Sequence, residues 1–99
     1  MVTTLANPAK QRNTQGVMLS PAQLRAARAL LKWSRDTLAE KSGISAESVH
    51  GFETRGTDAK RSTMLAWKRA LEAAGIEFLE PTEDGKGEGV RFRSAKGRR

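Results

Sequence analysis

The stretch from Arg35 to Glu53 constrains the fold of this chain more than any other. Gly43 divides it into two short segments, and each segment is preceded by a serine, Ser34 or Ser45, whose hydroxyl can accept a hydrogen bond from the free amides of a helix N-terminus. A glycine readily takes the left-handed conformation that ends a helix. Small or apolar side chains recur where two such helices would meet: Leu38, Ala39, Ile44, Val49 and Phe52. We therefore predict helices at Arg35–Ser42 and Ala46–Thr54, packed at an angle about Gly43.

Two further helices are predicted on either side of this pair. Ser20-Pro21 is typical of a helix start, so a first helix should cover Pro21–Lys32, and Ser62 should cap a last helix that runs to Ala74 before Gly75. Helical spacing predicts a buried face for each, with Trp33 packing where the first helix ends. These faces comprise Leu24, Ala27, Leu30 and Leu31 in the first helix, and Met64, Trp67, Ala70, Leu71 and Ala74 in the last.

The C-terminal part of the chain favours a β-hairpin. Residues 76–80 and 89–93 alternate between apolar and polar side chains around a turn-rich segment, so we predict a hairpin over 76–93. An isolated hairpin is only marginally stable, and it must either pack on the helices or pair with another copy. Residues 1–19 are predicted to be a disordered arm and 94–99 a basic disordered tail, which leaves 20–75 as the helical domain.

Composition excludes several classes of protein. Ninety-nine residues without cysteine allow one small domain and exclude disulfides and thiolate metal sites. The absence of a long apolar run argues against a membrane span or a signal peptide, so we expect a cytoplasmic protein. Of the net charge of +7, five charges lie outside 21–93, which has thirteen basic and eleven acidic residues. An anionic partner would therefore need cations clustered on one face, and the exposed segment Arg55–Arg61 offers such a cluster.

The run Trp33–Ser45, within Ser20–Gly75, resembles the Xre/Cro, or lambda-repressor-like, family of helix-turn-helix DNA-binding domains. The resemblance implies a mainly α fold, a bundle of four to five helices, here followed by the small hairpin. In such domains the second and third helices form the DNA-reading pair. The family pattern continues Glu-x-Gly, whereas this chain reads Glu53-Thr-Arg-Gly56, which is one residue longer.

The resemblance also implies roles for individual residues in double-stranded DNA binding. The base-facing positions are Ala46, Glu47, His50 and Gly51, and the phosphate-side positions are Arg35, Ser45 and Ser48, with Arg55, Lys60 and Arg61 nearby. His50 is the best polar candidate for base contact and Glu47 the second, because alanine and glycine offer no polar side chain. Each of these residues has a plainer interpretation as an ordinary surface residue. Arg28 and Glu53 match a structural ion pair between the first and third helices.

We expect from this resemblance a nucleoid-associated transcription regulator, a repressor, that binds a partly palindromic operator as a homodimer. The hairpin at 76–93 is one candidate for the dimer contact, and packing on its own subunit is the alternative. A second hypothesis is a protein-interaction regulator, an antitoxin or antiactivator, that uses the same fold mainly to bind a partner protein. The sequence contains no catalytic constellation, metal site or cofactor motif, so we expect neither an enzyme nor a bound cofactor.

Overall fold

The computed structural model describes residues 19–56 and 59–95, and within these ranges the chain is mainly helical with one small sheet. The helices are α1 (Pro21–Leu31), α2 (Arg35–Ser42), α3 (Ala46–Arg55) and α4 (Arg61–Ala73), and the strands are β1 (Ile76–Leu79) and β2 (Gly89–Phe92). The prediction of a mainly α chain with a C-terminal hairpin is confirmed. The described ranges hold four helices and not a fifth. Most of the arm predicted at 1–19, residues 1–18, and the end of the tail, 96–99, lie outside the description.

Helix α1 begins with a reciprocal pair of hydrogen bonds. The Ser20 hydroxyl accepts from the Gln23 amide at 3.1 Å, and Gln23 Oε1 accepts from the Ser20 amide at 2.9 Å, so two free amides of the first turn are satisfied. The helix ends one residue before the predicted Lys32, which takes a left-handed φ of 59°. Leu19, the last residue of the predicted arm, is buried in the core.

The prediction that Leu30 lies on the buried face of α1 is wrong, because its side chain is 38% exposed. Leu24 and Ala27 are completely buried. At about 100° per residue, Leu30 lies about 120° around the helix from Leu24, so the two side chains cannot enter the same core. A purely apolar spacing rule selected Leu30 because it lies three positions after Ala27.

The junction of α2 and α3 follows the predicted capping pattern. The Ser34 hydroxyl accepts from the Thr37 amide at 3.0 Å, and the Ser45 hydroxyl accepts from the Ser48 amide at 3.2 Å. Gly43 ends α2 with φ 78°, which a side chain would disfavour. Helix α3 is one residue longer than predicted and ends at Arg55, where Gly56 adopts φ 63°. The extra residue found in the sequence before this glycine therefore extends the helix.

The predicted cap of the last helix is wrong. Helix α4 begins at Arg61, one residue before Ser62. Its N-cap is Lys60, which has an extended backbone and whose side chain makes no capping hydrogen bond. The hydrogen bond from the Met64 amide to the Lys60 carbonyl, 3.0 Å, marks the first helical turn. Ser62 is thus inside the helix, and the first-turn amides are left without a capping side chain among the described residues.

The hairpin packs on its own helices. Strands β1 and β2 pair antiparallel with Ile76 opposite Phe92 and Phe78 opposite Val90, so these four apolar side chains share one face. Ile76 is completely buried and the other three pack against the core. Gln23 secures the far end of the hairpin, because its Nε2 donates to the carbonyls of Leu79 (3.3 Å) and Gly89 (3.0 Å).

A single core connects all the elements. Phe52 of α3 and Trp67 of α4 pack against each other with tilted rings, their centroids 5.2 Å apart and the interplanar angle 41°. The remaining buried apolar residues are Leu19, Leu24, Ala27, Leu38, Val49, Leu71 and Ile76. Val49 and Phe52 point inward as predicted, so the opposite side of α3 is left for solvent. No helix in the described ranges is long and apolar enough to cross a membrane.

We expect Gln23→Ala to lower the free energy of unfolding by about 1–3 kcal/mol, because it removes the hydrogen bonds to two carbonyls at the end of the hairpin and one half of the helix cap. Urea unfolding monitored by tryptophan fluorescence would measure the loss. Lys86→Ala, in the exposed turn of the hairpin, is the control and should change the unfolding free energy by less than about 0.5 kcal/mol. Equal stability of the two variants would contradict this role of Gln23.

Candidate nucleic-acid interface

Glu53, near the end of α3, is a buried carboxylate surrounded by arginine. Its side chain is completely buried, and Arg28 of α1 binds it through two hydrogen bonds, Nε to Oε2 and Nη2 to Oε1, each 2.7 Å. Arg35, at the start of α2, adds a bond from Nε to Oε1 at 3.1 Å. Bidentate charge-assisted bonds of this kind are short and geometrically specific. One carboxylate therefore joins the first three helices.

The backbone around Glu53 is also held by arginine. Arg25 Nη1 donates to the Glu53 carbonyl at 2.6 Å, and Arg28 Nη1 donates to the Trp33 carbonyl at 2.9 Å. The sequence predicted the pairing of Arg28 with Glu53 but missed the contributions of Arg25 and Arg35. Their spacing in the sequence contains no signal for a contact, since Arg25 and Arg35 lie 28 and 18 residues from Glu53.

The Glu53 carboxyl titrates below its usual range. Burial raises the pKa of Glu53, but the hydrogen bonds and positive charges of Arg28 and Arg35 outweigh it, so the pKa lies below the ordinary value of 4.5. The carboxylate thus remains charged at neutral pH. Arg35 keeps 37% of its side chain exposed, so it faces both Glu53 and solvent.

The solvent face of α3 presents fewer side chains than the sequence predicted. Glu47 and His50 are exposed, Ala46 is half-buried, and Gly51 is buried. The His50 carbonyl accepts a hydrogen bond from the Thr54 hydroxyl at 2.7 Å. This bond involves only the backbone of His50, and the residue is exposed. Of the four base-facing candidates, only Glu47 and His50 combine exposure with a polar side chain.

Apart from Arg35 on α2, the predicted phosphate-side residues lie at the two ends of α3 and at the start of α4. At its N-terminus, the hydroxyls of Ser45 and Ser48 are 3.1 Å apart and both residues are exposed. At its C-terminus and across the connection to α4, Arg55, Lys60 and Arg61 are exposed cations. Residues 57 and 58 in this connection lie outside the described ranges.

A groove of about 480 Å³ separates α3 from the start of α4, and we call it the α3–α4 groove. Helix α3 lines it with Glu47, Ser48, Gly51 and Arg55, and the other wall is formed by Ala59, Lys60 and Thr63 above Phe52 and Trp67. The groove therefore brings together two base-facing candidates, Glu47 and Gly51, with three phosphate-side candidates, Ser48, Arg55 and Lys60. Its far wall is the N-terminus of α4, where free amides and the helix dipole favour an anion.

Within the described ranges, no group of three or more histidine, cysteine, aspartate or glutamate side chains is arranged to hold a metal ion. Neither the family models nor the curated proteins contain a match to this chain.

We expect Glu53→Gln to lower the free energy of unfolding at pH 7 by about 3 kcal/mol, because it leaves two arginines without their counter-charge. Part of the cost is relieved since both guanidinium groups reach solvent. Chemical denaturation would measure it, with Glu40→Gln on the exposed side of α2 as the matched control. An effect as small as that of Glu40→Gln would show that the ion pairs contribute little.

The difference in the free energy of unfolding between wild type and Glu53→Gln should also depend on pH. Because the folded-state pKa of Glu53 is below 4.5, the unfolded chain takes up the proton first as the pH falls. The stabilising contribution is therefore full above about pH 5 and is lost as the pH falls through 4.5 and then through the lower folded-state pKa. The unfolding free energies of wild type and Glu53→Gln should converge as the pH falls through this window. A difference that did not change with pH would contradict the lowered pKa of Glu53.

Proposed function

We propose that this chain is a DNA-binding transcription regulator, a repressor, in which α2 and α3 form the helix-turn-helix of a lambda-repressor-like bundle. The observation that supports it most is the grouping around α3 of exposed Glu47 and His50 with the cations Arg35, Arg55 and Lys60. A helix presented in this way fits the major groove, and the cations near its C-terminal end fit the adjacent DNA backbone. The pairing of α2 and α3 about Gly43 agrees with the resemblance noted in the sequence.

Phosphate contacts provide the affinity in this proposal. The α3–α4 groove accommodates the sugar–phosphate ridge beside the major groove, with Arg55 and Lys60 on its walls. The amides in the first turn of α4, which have no capping side chain among the described residues, add an anion-binding edge. Arg35, at the start of α2, contributes a further cation. The Glu53 carboxylate orients its guanidinium while leaving it partly in solvent.

Base reading in this proposal is limited. His50 contributes a donor or acceptor to a base edge, and Glu47 accepts from a cytosine amine. Buried Gly51 and half-buried Ala46 offer no polar side chain. Specificity would then depend partly on the shape and deformability of the DNA, as well as on these two residues.

The small size of the reading helix supports a homodimer. Helix α3 has ten residues and spans about 15 Å, so a single copy contacts too few base pairs for a selective search. A two-fold dimer would double the contacts and read a partly palindromic site. The apolar face of the hairpin is covered by its own helices, so a dimer through 76–93 would have to use its edges or its outer face.

A gel-shift series at rising salt, with the DNA upstream of the protein's own gene and a random duplex of equal length, tests this function. We expect selective retardation of the upstream DNA that weakens as salt rises. If the protein showed no preference over the random duplex at moderate salt, the operator-binding repressor would be excluded. The rival regulator, an antitoxin or antiactivator acting on a partner protein, would then gain support.

The double variant Lys60→Gln/Arg61→Gln should weaken binding to all duplexes about equally and reduce the slope of log K against log salt by roughly 1.8, the value expected for two lost phosphate contacts. Fluorescence anisotropy at several salt concentrations measures this slope. Lys41→Gln/Lys86→Gln removes the same charge from other exposed positions and should retain the wild-type slope. If the two double variants had the same slope of log K against log salt, phosphate binding by Lys60 and Arg61 would be contradicted.

His50→Ala should change the preference for bases at one position of each half-site, by roughly 1–3 kcal/mol per half-site, because it removes the best polar reader of α3. Competition binding against a set of single-base operator variants would detect the change. Since His50 is exposed, thermal unfolding should be nearly unchanged and serves as the control. Wild-type discrimination across the whole set would rule out base contact by His50.

A further inference from the structure

The α3–α4 groove contains a hydrogen-bond donor that the proposed DNA contacts do not use. Trp67 lines the groove and is completely buried, and its indole Nε1 has no hydrogen-bond partner among the described residues. The Trp67 ring packs on Phe52, and this contact leaves the N–H unsatisfied. A buried N–H without a partner is costly and rare in folded proteins. A ligand that accepts from this N–H would satisfy it.

The N-terminus of α4 forms one wall of the same groove through Lys60 and Thr63. The helix has thirteen residues, its N-cap Lys60 makes no capping hydrogen bond with its side chain, and its first turn contains no acid. The first helical hydrogen bond comes from the Met64 amide, so the amides from Arg61 to Thr63 have no partner within the helix. The helix dipole adds positive potential at this end. The helix end and the buried indole therefore favour the same kind of ligand, a negatively charged hydrogen-bond acceptor.

Two cations reinforce this preference for an anion. Arg55 and Lys60 line the groove and are exposed, and neither forms an ion pair with a described residue. The groove acid Glu47 lies eight residues before Arg55, about 12 Å away along α3. A phosphate group has three acceptor oxygens and more charge than a carboxylate, so it matches this set of donors better. The groove volume of about 480 Å³ is within the range of small-ligand sites.

We propose that the α3–α4 groove binds a small phosphate-bearing molecule, which regulates DNA binding by occupying the place of a backbone phosphate. Regulation rests on the proposed function, whereas ligand binding itself does not need DNA. A phosphate in a duplex is flanked by two sugars and stays at the rim of the groove, but a small ligand can approach the buried indole of Trp67. This approach requires a small movement of the groove wall, and the new hydrogen bond stabilises the moved state. Because both ligands use Arg55 and Lys60, they exclude each other.

An NMR titration of the full chain with sodium phosphate tests the ligand site. The chain has two tryptophans, so its proton–nitrogen correlation spectrum contains two indole signals, and Trp33→Phe identifies the signal of Trp67. At constant pH and ionic strength, phosphate should shift the Trp67 signal until the site is saturated. Sodium acetate should shift it less, because a carboxylate has fewer acceptor oxygens and less charge. An equal shift by the two anions would overturn the preference for phosphate.

A pair of double variants tests whether the groove cations hold the phosphate. Arg55→Gln/Lys60→Gln should raise the Kd for phosphate by at least roughly tenfold, since it removes two charged donors. Lys41→Gln/Lys86→Gln removes the same charge from exposed positions outside the groove and should keep the wild-type Kd. If the Trp67 signal does not shift to saturation, or if both double variants bind phosphate as wild type does, the inference is wrong and the proposed function stands.

Fluorescence anisotropy with the upstream duplex tests the regulation. At constant ionic strength, phosphate at ten times its Kd should raise the Kd for DNA by roughly elevenfold, as expected for two ligands that exclude each other. Phosphate binding without any change in DNA affinity would overturn the regulation. If the protein binds no duplex, the proposed function fails and the regulation fails with it, while the NMR titration still decides whether the groove binds phosphate.

Discussion

The buried carboxylate of Glu53 is the contact on which the arrangement of the first three helices depends. Burying a charge is costly unless it is paired and hydrogen-bonded, and here two arginines from different helices donate three hydrogen bonds to the carboxylate. Since Arg28 comes from α1 and Arg35 from α2, their geometry fixes the angle at which α3 leaves the bundle. The apolar core holds the helices together, and the ion pairs restrict their orientation.

The same contact relates stability to the proposed DNA interface. Arg35 is bonded to Glu53 through Nε, which leaves the rest of its guanidinium available on the exposed side of α2. A guanidinium oriented in advance loses less conformational freedom when it meets a phosphate. The lowered pKa of Glu53 keeps the carboxylate charged at neutral pH, so this orientation is maintained under the conditions in which DNA would be bound.

Much of the fold could be predicted because its signals are local. Serine caps at Ser34 and Ser45, the glycine at Gly43 and the inward spacing of Val49 and Phe52 each act within a few residues, and α2 has the predicted bounds. Local signals misled in two places. Ser62 looked like a cap although α4 begins before it, and Leu30 matched an apolar spacing although it faces solvent.

For the candidate site, the sequence by itself determined the residue types available: a short helix with Glu47 and His50 outward, cations after it, and an acid-free basic C-terminus. The tertiary structure decided which of these meet. It brought Arg25 and Arg35 to Glu53, buried Gly51, formed the α3–α4 groove and packed the apolar face of the hairpin on the core. These contacts join residues far apart in the chain, and such long-range contacts depend on the packing of whole elements rather than on any local pattern.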